Sequence, residues 1–343
     1  ALGALTPWLC ASCQTCTTRC PQALDITAIM EFLTREARAR HITPPVPEVP
    51  IFNEAFMREV KLWGRAYELG LMAEMKLRIR NFTDDMDLGV KMMRKRKLAF
   101  LPRRARPPHK AKPVAAPPNA VGYYPGCSLH STAREYDIST QAVCRALNLP
   151  LVEPHGWVCC GSSAAHRSDP DAALRLPLEN LALIEQSGLR EVTMPCAACF
   201  NRHKAAQFEI RHDSGRKAQM DAAIGYAYQD TVQVSTLVEA ITQHVGAEAV
   251  RARVQRPLAG LRVVCYYGCL LTRPPEVTGA PHPENPTDMD ALVAALGAEG
   301  TTVITDVEHI RRGYENFEQK LNSLGAKVRA GDTPLEEGSS CLE

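Results

Sequence analysis

The sequence predicts a multi-domain α+β protein, with an all-α N-terminal domain followed by α/β domains of which the second is truncated. Apolar residues recur at helical spacing over residues 26–93, whereas short apolar strands alternate with helices from residue 121 onward. The 343 residues are also enough for two or three domains. We therefore divide the chain into the predicted units 1–98, 99–120, 121–256, 257–300 and 301–343.

Composition narrows the function classes. The formal net charge is only +2, so we expect no nucleic-acid partner. No apolar run reaches the roughly 18 residues of a transmembrane helix and no signal peptide is visible, so we expect a cytoplasmic protein without a transmembrane segment. Thirteen cysteines in such a chain favour metal or redox chemistry over a disulfide framework. The chain begins without methionine and almost inside its first motif, which suggests further sequence upstream.

The first motif is a run of four cysteines, C-x2-C-x2-C-x3-C-P, formed by Cys10, Cys13, Cys16 and Cys20. Bacterial ferredoxins hold a cubane [4Fe–4S] cluster with such a run, so all four are predicted cluster ligands in a ferredoxin-like helical domain. Zinc is the competing metal, but zinc sites usually pair one C-x2-C with a second, distant one. In two-cluster ferredoxins the fourth cysteine ligates the other cluster, so Cys20 is also a candidate ligand for a second cluster whose other ligands this sequence lacks.

A basic stretch and then a proline-rich stretch follow the helical region. Lysine and arginine dominate residues 91–112, and prolines recur over residues 102–118. This composition is typical of an extended, solvated linker. We therefore predict a basic, proline-rich linker at residues 99–120.

Strands and helices alternate after the linker. The predicted strands are 121–124, 151–152 and 191–194, and the predicted helices are 133–147 and 172–187. Five cysteines follow strands or lie in turns of this pattern: Cys127, Cys159, Cys160, Cys196 and Cys199. Because α/β proteins place their sites at one rim of the sheet, these thiols are expected to converge.

The chemistry of the five thiols points to a soft metal centre. Adjacent cysteines such as Cys159 and Cys160 rarely bridge each other without strain, so both thiolates are better used on a common metal. A structural zinc or an ordinary cubane needs only four thiolates. The fifth thiolate therefore favours an unusual iron–sulfur cluster.

Two further cysteines and three histidines are weaker candidates for functional residues. Cys144 lies on the apolar face of a predicted helix and Cys265 in an apolar strand pattern, so both are expected in the core. His130, His155 and His166 are candidate proton donors to a leaving thiolate, or ordinary loop histidines.

The motifs resemble those of a known family, heterodisulfide reductase. Residues 123–133, Cys159-Cys160-Gly161 and Pro195-Cys196-Ala197-Ala198-Cys199 resemble the first cysteine-rich CCG domain of its cysteine-rich subunit, while residues 7–40 resemble the second cluster motif of its ferredoxin-like subunit. The chain thus resembles a fusion of the ferredoxin-like subunit to the cysteine-rich one. The resemblance implies that the five cysteines bind a noncubane [4Fe–4S] cluster at which a disulfide is cleaved. It also implies that the cubane cluster near Cys10 passes electrons to that site.

The sequence departs from this family toward its end. A second cysteine-rich domain begins at residues 264–271, where Cys269 corresponds to Cys127, but no vicinal pair follows and the next cysteine is Cys341. Its cluster cannot be built as the family builds it. Residues 301–329 instead resemble the C-terminal end of UDP-N-acetylglucosamine enolpyruvyl transferases, with Arg312 matching an active-site arginine. That segment is too short to form the transferase pocket, so the activity is not carried over.

Three functions follow from these patterns. The first is an iron–sulfur oxidoreductase subunit of the heterodisulfide reductase type, active within a complex that includes a flavin-containing or other electron-donor subunit. Its substrate would be a small disulfide. Neither G-x-G-x-x-G nor a Walker motif occurs, so a flavin or nucleotide is expected in a partner.

The second function is electron transfer without disulfide cleavage. It would be that of an iron–sulfur subunit in a flavin dehydrogenase for succinate, glycolate or glycerol phosphate. The third is an inactive metal-binding fragment, which the missing second motif and the foreign tail favour.

Overall fold

The computed structural model describes residues 2–297, except 83, 85, 96, 106–115, 118, 260–262 and 264. Several predicted features lie outside the described residues: residues 106–115 and 118 of the linker, Val264 at the start of the second domain, and the tail 301–343 with its transferase-like segment 301–329 and Cys341.

The N-terminal part is helical, as predicted. Its helices are α1 (Leu5–Leu9), α2 (Thr15–Thr18), α3 (Ile26–Ala39), α4 (Glu48–Trp63), α5 (Glu68–Ile79) and α6 (Met86–Arg94). The side chain of Asp25 caps α3 by accepting a hydrogen bond from the backbone N–H of Ala28. Trp8 and Ala37 are buried where α1 packs against α3.

The described residues of the predicted linker are mostly exposed, but one of them packs against the helical part. Ala105 is buried, as is Leu98 just before the linker, and the backbone N–H of Ala105 donates to the carbonyl of Trp63 at 2.7 Å. A Cβ atom on Gly64, which has φ of +78°, would lie 2.0 Å from the Ala105 oxygen, so the chain can pass this closely only at a glycine. The prediction of a solvated segment is wrong at Ala105, which lies against the end of α4, whereas Phe100 and Leu101 are 72% and 78% exposed.

A four-stranded parallel sheet forms the second half. Its order is β2-β1-β3-β4, with β1 at Val121–Tyr123, β2 at Leu151–Val152, β3 at Glu191–Thr193 and β4 at Gln233–Ser235. The first three agree with the predicted strands within one residue, whereas β4 was not predicted. Gly122 pairs with Val192, and a Cβ at Gly122 would lie 2.7 Å from the Glu191 oxygen.

Helices cover both faces of the sheet. They are α7 (Gly126–Leu129), α8 (Arg134–Ala146), α9 (Ser162–Ser168), α10 (Pro170–Gln186), α11 (Ala197–His212), α12 (Ser214–Ile224), α13 (Leu237–His244) and α14 (Ala247–Arg251). Val121 and Val192 point to opposite faces, since Val192 is in register with Gly122. Val192 packs with Leu181 of α10 on one face, and Val121 packs with Cys144 of α8 on the other, so Cys144 lies in the core as predicted.

The last described segment has short helices: α15 (Cys269–Thr272), α16 (Pro275–Thr278) and α17 (Asp290–Ala295). Cys265 is only half-buried, and residues 265–268 form no strand. The prediction that Cys265 is a core strand residue is wrong, because the segment after it is held by α11 instead of extending the sheet. Among the described residues, no helix has the length and apolar character to cross a bilayer.

Candidate functional site

The strand order creates a crevice at the carboxyl ends of β1 and β3. From β1 the chain passes to β2 on one side and later to β3 on the other. Parallel α/β sheets bind ligands where the strand order reverses in this way. Cys127 comes soon after β1, and Cys196 soon after β3. The topology therefore places both thiols beside the switch point.

The five predicted thiols form one continuous chain of contacts. Side-chain hydrogen bonds join Cys127 to Cys159, Cys159 to Cys160, Cys160 to Cys199, and Cys199 to Cys196. The sulfur atoms of Cys160 and Cys199 are 3.6 Å apart. Cys159, Cys160 and Cys199 are buried, whereas Cys127 and Cys196 at the two ends are half-buried. We call this group the five-thiol site.

Contacts within the site favour thiolate at two positions. The hydrogen bond from Cys199 lowers the pKa of Cys196 to about 7, and the backbone N–H groups at Ala198 and Cys199 add to this effect. Hydrogen bonds from Cys159 and Cys199 hold the pKa of Cys160 well below its usual range. Because thiolate rather than thiol binds metals, the lowered pKa values of Cys196 and Cys160 favour metal binding at these two sulfurs.

The donor set fits an iron–sulfur cluster. Five soft sulfur donors are the ligand type that iron–sulfur centres use. Gly126, with φ of +73°, leaves room beside them, since a Cβ there would lie 2.8 Å from the Cys199 sulfur. In the part of the chain that the structure describes, no group of three or more His, Cys, Asp or Glu side chains is arranged to hold a single metal ion.

A buried polar network fixes the backbone that carries Cys159. The Asn180 side chain accepts from the Val158 N–H at 2.8 Å and donates to the Val158 carbonyl at 3.0 Å. The Tyr124 hydroxyl donates to the same carbonyl at 2.6 Å. Burial raises the pKa of Tyr124 well above its usual value, and the four nearby thiols at 127, 159, 160 and 199 add to this. Sequence reasoning missed Asn180, because its partners lie far from it along the chain.

His203 was also missed, although it lies one helical turn after Cys199. Its Nδ1 is 2.7 Å from the Cys199 carbonyl oxygen and therefore donates, while Nε2 lies 3.4 Å from the Asn180 amide nitrogen and accepts. Burial lowers the pKa of His203, so the ring is neutral. His203 follows Cys199 by four residues on one helix, and this spacing is the sequence feature that could have revealed it.

The three histidines noted in the sequence differ in placement. His130 lies on a cavity wall beside Cys127, with Nε2 3.6 Å from a carboxylate oxygen of Glu153. Burial lowers the pKa of His166 to about 3, which keeps it neutral. His155 is exposed. Of the three, His130 is therefore the one that the structure places at the cavity next to a site thiol.

The cavity beside Cys127 has a volume of about 420 Å³ and a basic lining. Its charged residues are Arg65, Glu68, Lys97, Arg103, Arg134 and Asp137. The Arg65 guanidinium carbon lies 3.5 Å from the centre of the Trp157 ring, and its Nε donates to the Trp157 carbonyl at 3.1 Å. Because cations outnumber carboxylates in this lining, the cavity favours anionic molecules.

The N-terminal cysteine run lies on a curled loop. Ser12 and Gln14 have φ of +51° and +64°, so the backbone bends around Cys13. Ser12 is fully buried, and its hydroxyl donates to Glu31 at 3.1 Å. Cys10, Cys13 and Cys20 are half-buried and Cys16 is exposed. Curled backbone of this kind is common at iron–sulfur sites.

The structure places Cys269 against this run. A side-chain hydrogen bond joins the thiols of Cys13 and Cys269, which lowers the pKa of Cys13 to about 5 and raises that of Cys269 to about 12. The sequence had assigned Cys269 to a second, truncated domain. Its contact with Cys13 was not predicted, because nothing local links positions so far apart.

Buried contacts join the helical part to the helix that follows Cys160. A guanidinium nitrogen of Arg167 in α9 donates to the carbonyl of Trp8 at 2.8 Å, and one of Arg35 donates to the carbonyl of His166 at 2.9 Å. The backbone N–H of Cys159 donates to the carbonyl of Gly64 at 2.8 Å. The two groups of cysteines are thus carried by parts of the chain that pack directly on each other.

Comparison with known proteins gives one family match and several relatives. Residues 121–202 match the model of the family described as "CCG: Cysteine-rich domain". The chain is 36% identical over 206 residues to the 8-methylmenaquinol:fumarate reductase membrane anchor subunit of Wolinella succinogenes, covering 59% of this chain and 66% of that protein. It is 27% identical over 183 residues to a subunit of the ferredoxin/F(420)H(2)-dependent CoB-CoM heterodisulfide reductase of Methanosarcina acetivorans, covering 52% and 60%. The chain therefore spans less than two thirds of the length of either relative.

A third relative is of another kind. A stretch of 38 residues is 60% identical to the UDP-N-acetylglucosamine 1-carboxyvinyltransferase of Acinetobacter baylyi, covering 11% of this chain and 9% of that enzyme. This confirms the short transferase resemblance noted in the sequence. For the rest, the chain carries a cysteine-rich CCG domain at residues 121–202 and is homologous to the heterodisulfide reductase subunit and to the fumarate reductase anchor subunit.

Proposed function

We propose that this chain is an iron–sulfur electron-transfer subunit of an oxidoreductase, and that its five-thiol site reduces a small disulfide. The observation that carries this proposal is the continuous contact of five thiols at the sheet's switch point, with Cys127 at the end that meets a basic cavity. Bound iron–sulfur clusters supply electrons one at a time and offer iron to which sulfur can bind.

Two sets of residues would hold the clusters. Cys10, Cys13, Cys16 and Cys20 are the proposed ligands of a cubane [4Fe–4S] cluster, and the five-thiol site those of a noncubane one. The direct packing between the two parts of the chain supports electron transfer from the first to the second.

Residues of the cavity would bind and protonate the substrate. Reduction of a disulfide consumes two electrons and two protons and yields two thiols. Arg65, Arg103 and Arg134 supply the positive charge that would hold an anionic disulfide beside Cys127. His130, next to Cys127 in the same lining, is our proposed proton donor to a leaving thiolate.

The whole activity would need partner subunits. The fumarate reductase and heterodisulfide reductase relatives are both named as subunits. A flavin-containing or other electron-donor subunit, contacting this chain in the cytoplasm, is the partner we propose.

A second candidate is electron transfer without disulfide cleavage. It is favoured by the 36% identity to a subunit of a fumarate reductase that the name links to a quinol. In that case the five-thiol site would transfer electrons to a partner or quinone, and the basic cavity would not bind a disulfide substrate.

Anaerobic reconstitution with iron and sulfide tests the metal content. We expect about eight iron atoms per chain, as two four-iron clusters with separate electron paramagnetic resonance signals. Zinc bound without sulfide would contradict both candidates and leave a structural metal site.

Disulfide addition separates the two candidates. A small dianionic disulfide should change the spectrum of the cluster at the five-thiol site, and a neutral disulfide of equal size should do so only at higher concentration. Arg134→Gln should weaken the response to the anionic disulfide roughly tenfold, the effect of losing a charged hydrogen bond of about 1.5 kcal/mol. Arg145→Gln, on the same helix but outside this cavity, is the matched control. A loaded protein that ignores all disulfides would favour the second candidate.

A further inference from the structure

Cys269 lies at the N-terminal cysteine run, not at a site of its own. Besides its contact with the Cys13 thiol, the Cys269 thiol hydrogen-bonds with the Thr15 hydroxyl. The sulfur of Cys13 lies 3.4 Å from the same hydroxyl oxygen. The two thiols therefore share one neighbour within the loop of the run.

A buried arginine fixes this arrangement. Arg273 is only 3% exposed, and its guanidinium donates to the Thr15 hydroxyl at 3.3 Å and to a Glu284 carboxylate oxygen at 2.9 Å. Glu284 also pairs with Arg19, which directly precedes Cys20. The segment that carries Cys269 is thus tied to the run on both sides of Thr15. Because Arg273 is buried and charge-paired, the contact is a built feature of the fold rather than a chance surface approach.

The same segment is clamped to the helix that carries Cys199. The Asn201 side chain donates to the carbonyl of Leu270 at 3.1 Å and to that of Arg273 at 2.9 Å. A Cβ atom on Gly268 would meet the Ala197 side chain at 4.0 Å. Cys269 is therefore held from α11 and presented to Cys13.

The chemistry of the run leaves a place for such a thiolate. In two-cluster ferredoxins the first three cysteines of a C-x2-C-x2-C-x3-C run bind one cluster, and the fourth binds the other. Cys10, Cys13 and Cys16 then need a fourth ligand from elsewhere. Cys20 lines a cavity of about 680 Å³ between the run and α11, together with Glu31 and Arg202.

We propose that Cys269, rather than Cys20, is the fourth ligand of the N-terminal iron–sulfur site, beside Cys10, Cys13 and Cys16. This inference rests on the proposed function, since it requires that the run binds a cluster, and it exchanges one cysteine, Cys20, in the ligand set proposed there. It also gives the incomplete second cysteine-rich segment a role, because its one remaining motif cysteine would complete the first cluster. The cluster would then be linked covalently to the segment that Asn201 holds against α11.

The test compares three single variants of the full chain after anaerobic reconstitution: Cys269→Ala, Cys20→Ala and Cys265→Ala. Cys265 is the matched control, as a half-buried cysteine four positions away in the same segment. We expect Cys269→Ala to lose about four iron atoms or to change the spectrum of the N-terminal cluster, while Cys20→Ala and Cys265→Ala keep the wild-type spectrum. Urea unfolding of the metal-free variants checks that Cys269→Ala still folds. A Cys269→Ser variant, whose oxygen can still bind iron, should retain iron but shift the signal.

Four results would count against the inference, and one of them would also contradict the proposed function. A wild-type spectrum in Cys269→Ala, or loss of the N-terminal cluster in Cys20→Ala, would overturn the inference and leave the proposed function standing. A Cys13–Cys269 disulfide found by mass spectrometry in the reconstituted protein would also overturn it, since neither thiol could then bind iron. If wild-type protein takes up no iron and sulfide, the proposed function fails and the inference with it.

Discussion

A Cβ atom added to Gly126 would lie 2.8 Å from the sulfur of Cys199, a residue on the far side of the sheet's switch point. Gly126 also has φ of +73°, which side chains rarely adopt. Cys127 follows it directly, so this glycine allows the two halves of the five-thiol site to approach.

Gly126→Ala should destabilise the protein in two ways. The left-handed backbone costs roughly 1–2 kcal/mol with a side chain, and the clash with Cys199 adds about 1–3 kcal/mol of overpacking. Gly225→Ala is a matched control, because Gly225 has φ of +72° and no atom within 4 Å of the added Cβ. Urea unfolding of the metal-free, reduced protein should show the larger loss for Gly126→Ala. If both variants lose the same free energy of unfolding, the contact with Cys199 does not contribute to the cost of Gly126→Ala.

Removing the Asn180 side chain should loosen the backbone before Cys159. Asn180 is fully buried, and Asn180→Ala leaves the N–H and carbonyl of Val158 without this partner, at a cost of about 1–3 kcal/mol. Hydrogen exchange at residues 157–160 should speed up accordingly. Gln141→Ala, at a half-buried amide on α8, should change stability by less than about 0.5 kcal/mol. Unchanged exchange at Val158 would show that the Tyr124 hydroxyl suffices to hold this segment.

The contact between Arg167 and Trp8 should be needed to hold the first helix in place. Arg167→Met removes a charged donor from the Trp8 carbonyl, which is worth about 1.5–3 kcal/mol. We expect faster proteolysis and hydrogen exchange at residues 5–9, with little change in the sheet. Arg175→Met, a more exposed arginine paired with Glu179 on α10, should leave residues 5–9 unaffected. Equal protection of α1 in wild type and Arg167→Met would refute this role.

Stability should depend on pH through Glu179. Burial raises the pKa of this carboxyl group above its ordinary value of 4.5, despite the neighbouring Arg175. The folded state then binds the proton more tightly than the unfolded state, so the protein loses stability as pH rises from about the ordinary value through the raised one. Glu179→Gln should therefore be more stable than wild type at pH 7 and equal to it near pH 3. The midpoints of urea unfolding at pH 3 and pH 7 measure this difference between variant and wild type. If Glu179→Gln is less stable than wild type at pH 7, the ion pair with Arg175 outweighs the cost of burying the carboxylate.

Local patterns were enough to predict much of this molecule. The strands at 121–124, 151–152 and 191–194 were found from short apolar runs, and the helices near them from spacing, because both depend on neighbouring residues. β4, at Gln233–Ser235, was not predicted. The linker prediction is wrong at Ala105, since composition does not show what a segment packs against.

For the site, the sequence by itself determined which residues carry the chemistry. The three-residue spacing from Cys10 to Cys16 and the adjacency of Cys159 and Cys160 are covalent facts of the chain, and thiolate chemistry limits what they can bind. Only the tertiary structure decided which thiols meet. Strand order brings the turns that carry Cys127 and Cys196 to the same edge of the sheet. Asn180 and His203 reach the site through contacts across helices, and Asn201 and Arg273 hold Cys269 at Cys13. Such contacts join positions far apart in the chain, and no local spacing encodes them.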